Sequence, residues 1–193
     1  EKPEPSDIAG HWAENELRLM LAYDALDMQG DKVLPDRAIT RGEMIKMLVI
    51  AIQGGHYPIV FSEKRTASFS DVAADSAYFA YVETAVDLNL LDRSEREFRP
   101  SDTITREQLA GLIVKALGYA KLAEVEGLFA YEAADRDQVE QVGAVAIVTA
   151  LGILTLDGNG NFRPDEEVTR AQAATAFHRF LVKREALRDN ASF

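Results

Sequence analysis

The run "AITRGEM" at 38–44 returns as "TITREQL" at 103–109 and "EVTRAQA" at 167–173, so Thr-Arg pairs begin at 40, 105 and 169. Asp7, Asp71 and Asp135 keep the same step, and so do Pro35, Pro100 and Pro164. Three registers held together are an internal repeat, and a repeat of this period limits the chain to copies of one supersecondary unit that share a core.

Each copy reads as a first helix, a turn-rich loop, a second helix and a connector. Leu17, Met20, Leu21 and Ala25 have helical spacing and predict a first helix from near Trp12 to near Met28. Tyr81, Val82, Ala85, Val86 and Leu88 repeat the pattern, as do Val142, Val145, Ala146, Val148 and Thr149, where "GIL" closes the helix. The loops "GDKVLPD", "DRSEREFRPSD" and "DGNGNFRPDEE" carry the Gly, Pro, Asp and Ser of tight turns. The second helices, "EMIKMLVIAI", "QLAGLIVKAL" and "QAATAFHRFL", are apolar over most of their circumference, the mark of a buried helix. The expected fold is all-α: three pseudo-repeated helix-loop-helix units around a central three-helix bundle, with the first helices outside. The repeats are expected at 1–54, 68–118 and 133–184, with connectors at 55–67 and 119–132 and a tail at 185–193.

Charge and motif content narrow the function. With 32 acidic and 21 basic residues the net charge is −11 and no Lys/Arg block occurs, which argues against nucleic acid as a partner. The absence of cysteine removes disulfides, thiol catalysis and Cys-ligated zinc. No apolar run has the length of a membrane span, so no membrane insertion is expected, and "EKPEP" lacks a signal-peptide pattern. His11, His56 and His178 form no paired metal spacing, and neither a nucleophile elbow nor a phosphate loop is found. The repeat occupies nearly every segment, so no catalysis is expected. Asp157, Asn159 and Asn161 match the first three ligands of a calcium loop, but Phe162 stands at the sixth position and Val168 at the twelfth. No metal or cofactor is expected.

The repeated motif itself poses a question of charge. Thr40 with Glu43, Thr105 with Gln108 and Thr169 with Gln172 are capping boxes in sequence. Arg41, Arg106 and Arg170 then fall on the first helical position, where a cation opposes the helix dipole by about 0.3–1 kcal/mol. An anion there would reverse the sign, joining backbone N–H groups, helix field and guanidinium on one carboxylate. The alternative is a surface ion pair with Asp36, Asp102 or Glu166. Asp7, Asp71 and Asp135 suit either sugar hydroxyls or the capping of a turn.

The Asp-Ile and Asp-Val openings, the "GHWA" stretch, the "DGNGNFRP" loop and the "ITRGE" and "VTRAQ" helix starts resemble the S-layer homology module, over roughly residues 6 to 184. The resemblance implies a three-pronged pseudo-trimer that anchors exported proteins to a bacterial cell wall. Its partner would be an anionic secondary wall polysaccharide, a pyruvylated N-acetylmannosamine polymer, bound in grooves between repeats. Location at the extracellular cell surface and a monomeric isolated domain within a larger surface protein are implied as well. The site residues on this reading are Asp7, Trp12, Arg41, Asp71, Tyr78, Arg106 and Arg170. Trp12 would stack on a sugar or pack on the bundle, and Tyr78 is its counterpart in the second repeat. Val142 cannot stack, and the short first loop lacks the Phe, so a shallow or missing groove is expected there. A helical scaffold for protein partners that has lost sugar binding is the competing reading.

Overall fold

The computed structural model describes residues 2–55 and 65–190. Most of the first connector, with His56, lies outside the described residues. Among the described residues the chain is all-helical: α1 (Glu14–Ala22), α2 (Arg41–Ile52), α3 (Phe79–Asp87), α4 (Arg106–Leu117), α5 (Ala120–Ala123), α6 (Val142–Ala150) and α7 (Arg170–Asn190), with isolated β-bridges and no strand. The pairs α1/α2, α3/α4 and α6/α7 are the three helix-loop-helix copies, and α5 is a short turn of helix in the second connector.

α1 ends at Ala22, earlier than its apolar spacing predicts, because Asp24 enters the left-handed region (φ 59°). Asp24 N–H then bonds Leu21 O, and Ala25 N–H reaches back to Met20 O. This left-handed C-terminal cap satisfies the last carbonyls of the helix. The same pair of bonds recurs at Asn89 and Leu90 after α3, and at Gly152 and Ile153 after α6. One stop geometry is therefore written in three residue types.

The chain divides into two compact units, 1–103 with 169–177, and 104–168 with 178–193. In the first, α2 packs against α3, and Met44, Ile45 and the run Met47 to Ala51 are buried almost all round the helix. In the second, α4 packs against α6, Leu109, Ala110, Ile113 and Val114 of α4 are buried, and α5 lies on both helices. The fit of α5 depends on Gly143: a Cβ there would stand 1.9 Å from the Ala123 carbonyl oxygen. Phe98 and Phe162, each from its repeat's loop, are fully buried.

Candidate ligand-binding site

The loop of each repeat is pinned by the aspartate that opens it. The Asp7 carboxylate accepts the Val33 and Leu34 N–H groups, both at 2.8 Å. Asp71 takes Phe98 and Arg99 N–H at 2.8 and 2.7 Å, and Asp135 takes Phe162 and Arg163 N–H at the same two distances. In each case the second donor is a non-glycine residue in the left-handed region just before proline: Leu34 (φ 56°), Arg99 (60°) and Arg163 (60°). That conformation costs about 1–2 kcal/mol, and the carboxylate holds it. Burial pushes the Asp7 carboxyl up, but the two backbone donors and Lys32 bring it below its ordinary value. Of the two roles open to these aspartates, the turn cap describes their bonds.

The pinned loop then receives the second helix of another repeat. Arg41 N–H donates to Asp102 O at 2.7 Å and Gly42 N–H to Pro100 O at 2.9 Å. Arg106 and Glu107 N–H bond Glu166 O and Pro164 O, and Arg170 and Ala171 N–H bond Arg37 O and Pro35 O. The next N–H of each helix goes to the threonine hydroxyl of its cap, and the Glu43, Gln108 or Gln172 side chain bonds the threonine N–H in return. The expected convergence of free N–H groups on an anion is therefore corrected: the first three are already bonded. An anion at this place meets guanidinium alone.

The guanidinium groups themselves differ. Each Nε donates to a loop carbonyl, Arg41 to Phe98, Arg106 to Phe162 and Arg170 to Val33, at 2.9, 2.7 and 2.9 Å. This bond to a carbonyl offsets the unfavourable field of the helix start. Arg41 and Arg106 lie over the Phe98 and Phe162 rings at 5.0 and 4.8 Å, within cation–π range. Beyond Nε, neither terminal nitrogen of Arg41 is hydrogen-bonded among the described residues, and Arg106 uses Nη2 on Thr155 O at 2.7 Å. Arg170 is 2% exposed, with Nη2 on Asp27 O and Nη1 on the Glu43 carboxylate. Burial lowers the pKa of all three; for Arg170, with Arg37 adding to the effect, it falls to about 10, so that group stays charged at neutral pH.

Tyr78 and Arg170 are brought together. They line a cavity of about 330 Å³ with Arg37, Thr40, Glu43 and Ser101. The Tyr78 ring is seated by Gly42, whose Cβ would come within 2.7 Å of it. Arg41, Arg106 and Trp12 lie outside this cavity. Trp12 is 64% exposed, which rules out packing in the core, and its ring centroid is 5.4 Å from that of His11. His11 Nδ1 accepts the Ala13 N–H, so its Nε2 carries the proton shared with Asp36 at 2.9 Å.

In the third repeat no aromatic stands at the start of α6. The Glu107 carboxylate of α4 accepts the Glu140 N–H there instead, at 3.1 Å. Burial raises the Glu107 pKa, and donors from Glu140 and Gln141 return part of the shift. The Asp157 carboxylate is taken by Asn159 and Asn161 N–H and by Arg163 Nε, which caps the turn. Sequence reasoning missed Glu43 as an ion partner of both Arg37 and Arg170. The available signal was charge: Arg37 and Glu43 stand where the other repeats have Asp102 with Gln108 and Glu166 with Gln172.

Comparison with known proteins accounts for this architecture. The chain is 24% identical over 181 residues to an amylopullulanase of Thermoanaerobacterium thermosulfurigenes, covering 92% of this chain and 9% of that protein. It is equally similar over 181 residues to exoglucanase XynX of Acetivibrio thermocellus, of which it spans 16%. A "cell surface protein" of Thermoanaerobacter kivui is 30% identical over 112 residues, 56% of this chain and 14% of that one. The chain thus spans a small fraction of the length of these relatives. The sequence pattern of the S-layer homology domain matches three times, at 6–45, 68–110 and 134–174, each match running from the loop-pinning aspartate into the second helix, and the chain belongs to the S-layer homology domain family.

Proposed function

We propose that the chain is a non-catalytic module that anchors a larger exported protein to the bacterial cell wall by binding an anionic secondary wall polysaccharide, its recognised unit a pyruvylated N-acetylmannosamine. The observation that carries this reading is the half-buried Arg41 guanidinium, fixed by Nε on the Phe98 carbonyl and by the Phe98 ring, with both terminal nitrogens unbonded among the described residues. An oriented, partly desolvated guanidinium recognises a carboxylate through two parallel N–H donors. Arg106 supports the same reading with Nη1. Asp7 and Asp71 hold the loops and offer their remaining lone pairs to sugar hydroxyls, while the exposed Trp12 offers a ring face. The relatives' names, an amylopullulanase, an exoglucanase and a cell surface protein, of which this chain spans 9%, 16% and 14%, fit a module that carries different cargo.

Sedimentation with purified cell-wall sacculi, before and after the secondary polymer is stripped, tests the reading. The protein is expected to pellet with intact sacculi and stay in solution with stripped ones. Arg41→Ala should weaken binding by about 1.5–3 kcal/mol, the value of a charged hydrogen bond. Pelleting with stripped sacculi, or an Arg41→Ala variant that binds like the parent, refutes it. Retained binding to wall proteins alone would favour the scaffold reading.

A further inference from the structure

The three helix starts share one backbone arrangement and differ in the charges around it. Two residues after the loop proline stand Arg37, Asp102 and Glu166, and at the third helical position stand Glu43, Gln108 and Gln172. In the first repeat the acid is replaced by a cation and the neutral amide by an acid. The structure shows what the altered pair does. The Glu43 carboxylate accepts the Thr40 N–H at 3.1 Å, Arg37 Nη2 at 2.8 Å and Arg170 Nη1. All three nitrogens of Arg170 are thereby engaged, with Val33 O, Asp27 O and Glu43. Arg37 and Arg170 both line the 330 Å³ cavity that also holds Tyr78, Thr40 and Ser101. Both cations are thus paired with Glu43 from within, Asp27 adds a second acid to the lining, and a further carboxylate entering would face like charge.

We propose that Glu43 is a built-in carboxylate that fills the anion position of this cavity, so that Arg41 and Arg106 accept the anionic unit of the wall polymer and Arg170 does not. Glu43 is thus the residue that determines which helix starts are open to a ligand. The inference rests on the polysaccharide reading above, and adds to it a closed third position and the group that closes it. Removing the carboxylate while keeping the cap is practicable, because Gln108 and Gln172 make the same bond to the threonine N–H at 3.0 and 3.4 Å. E43Q then leaves Arg37 and Arg170 facing the cavity without their shared carboxylate, with Asp27 still in its lining.

The test is a rescue, read by calorimetry with pyruvylated N-acetylmannosamine and by the arginine Nε–H signals in NMR. In the full chain, R41A/R106A should bind at least about 10- to 150-fold more weakly than the parent, the equivalent of one charged hydrogen bond lost per site. Adding E43Q should restore binding about tenfold or more, and adding R170A to that triple variant should abolish it again. The Arg170 Nε–H signal should move with ligand only when residue 43 is Gln. A triple variant as weak as the double one, or an Arg170 signal that moves in the parent, overturns the proposal. If neither the parent nor E43Q binds the monosaccharide, the polysaccharide reading fails, and sodium sulfate serves as the probe. An Arg170 signal that responds to sulfate in E43Q and not in the parent then upholds the role of Glu43, and a response in both or in neither overturns it.

Discussion

Asp135→Ala tests whether the repeat's opening aspartate is the fastener of its loop. Asp135 is 9% exposed, and its two oxygens hold Phe162 and Arg163 N–H at 2.8 and 2.7 Å. Hydrogen bonds to a charged group contribute about 1.5–3 kcal/mol each, and a buried donor left without a partner adds its desolvation cost. Phe162 is fully buried and its N–H has no route to water, while Arg163 is exposed and its N–H can be hydrated. The sum expected is therefore below two full bonds, about 3–5 kcal/mol, a large part of a typical stability of about 5–15 kcal/mol. Asp135→Asn keeps one acceptor and turns an NH₂ group toward the other donor, so about 2–3 kcal/mol is expected from the same bond values. Asp71 makes the same bonds from an exposed position, and its alanine variant should cost about 1–3 kcal/mol. Urea unfolding followed by circular dichroism reads all three as shifts in midpoint at constant slope. An Asp135→Ala variant within about 1 kcal/mol of the parent, below the value of even one such bond, refutes the reasoning. So does an Asp71→Ala variant that loses more than Asp135→Ala.

Three further outcomes follow from the geometry. Gly143→Ala should destabilise by about 2 kcal/mol or more by forcing α5 away, since the obstacle is the Ala123 backbone oxygen, and hydrogen exchange should rise over 119–125. Gly111→Ala should cost little or stabilise, because its obstacle is the movable end of Gln141 and alanine favours the helix by about 0.8–1 kcal/mol. The Asp7 carboxyl has a folded pKa below its unfolded value of 3.8, so its contribution is complete above that value and is lost as pH falls through the folded pKa. Acid titration of stability should flatten over that window in Asp7→Asn, and an unchanged profile would refute the assignment.

The helical class, the three copies and the threonine caps were legible because each rests on local signals: apolar spacing, Gly/Pro-rich loops and the S/T-x-x-E/Q pattern. The end of α1 was not, since Asp24 and Asn89 adopt the left-handed stop that only Gly152 advertises. The proline in each loop was visible, but not the left-handed Leu34, Arg99 and Arg163 before it, a conformation set by an aspartate 27 or 28 residues upstream. The arginines were recognisable as anomalies against the helix dipole. Their partners were not, because Phe98 lies 57 residues from Arg41 and Val33 lies 137 from Arg170, and nothing local selects a carbonyl at that distance. Glu43 read correctly as a cap and incompletely as a charge.

A stack of repeats can ordinarily gain or lose a copy at its end, because every member leans only on its neighbour. The helix starts described here follow another rule of succession. The first repeat's helix is capped by the second repeat's loop, the second's by the third's, and the third's by the carbonyls of Pro35 and Arg37 in the first. There is no terminal copy in that order and so no place to append one. A fourth copy inserted after the third would inherit the claim on the first loop and leave α7 to find another. A deleted copy would ask the two remaining repeats to exchange loops across a register neither was built for. A change in copy number would therefore change which carbonyl each arginine has been given.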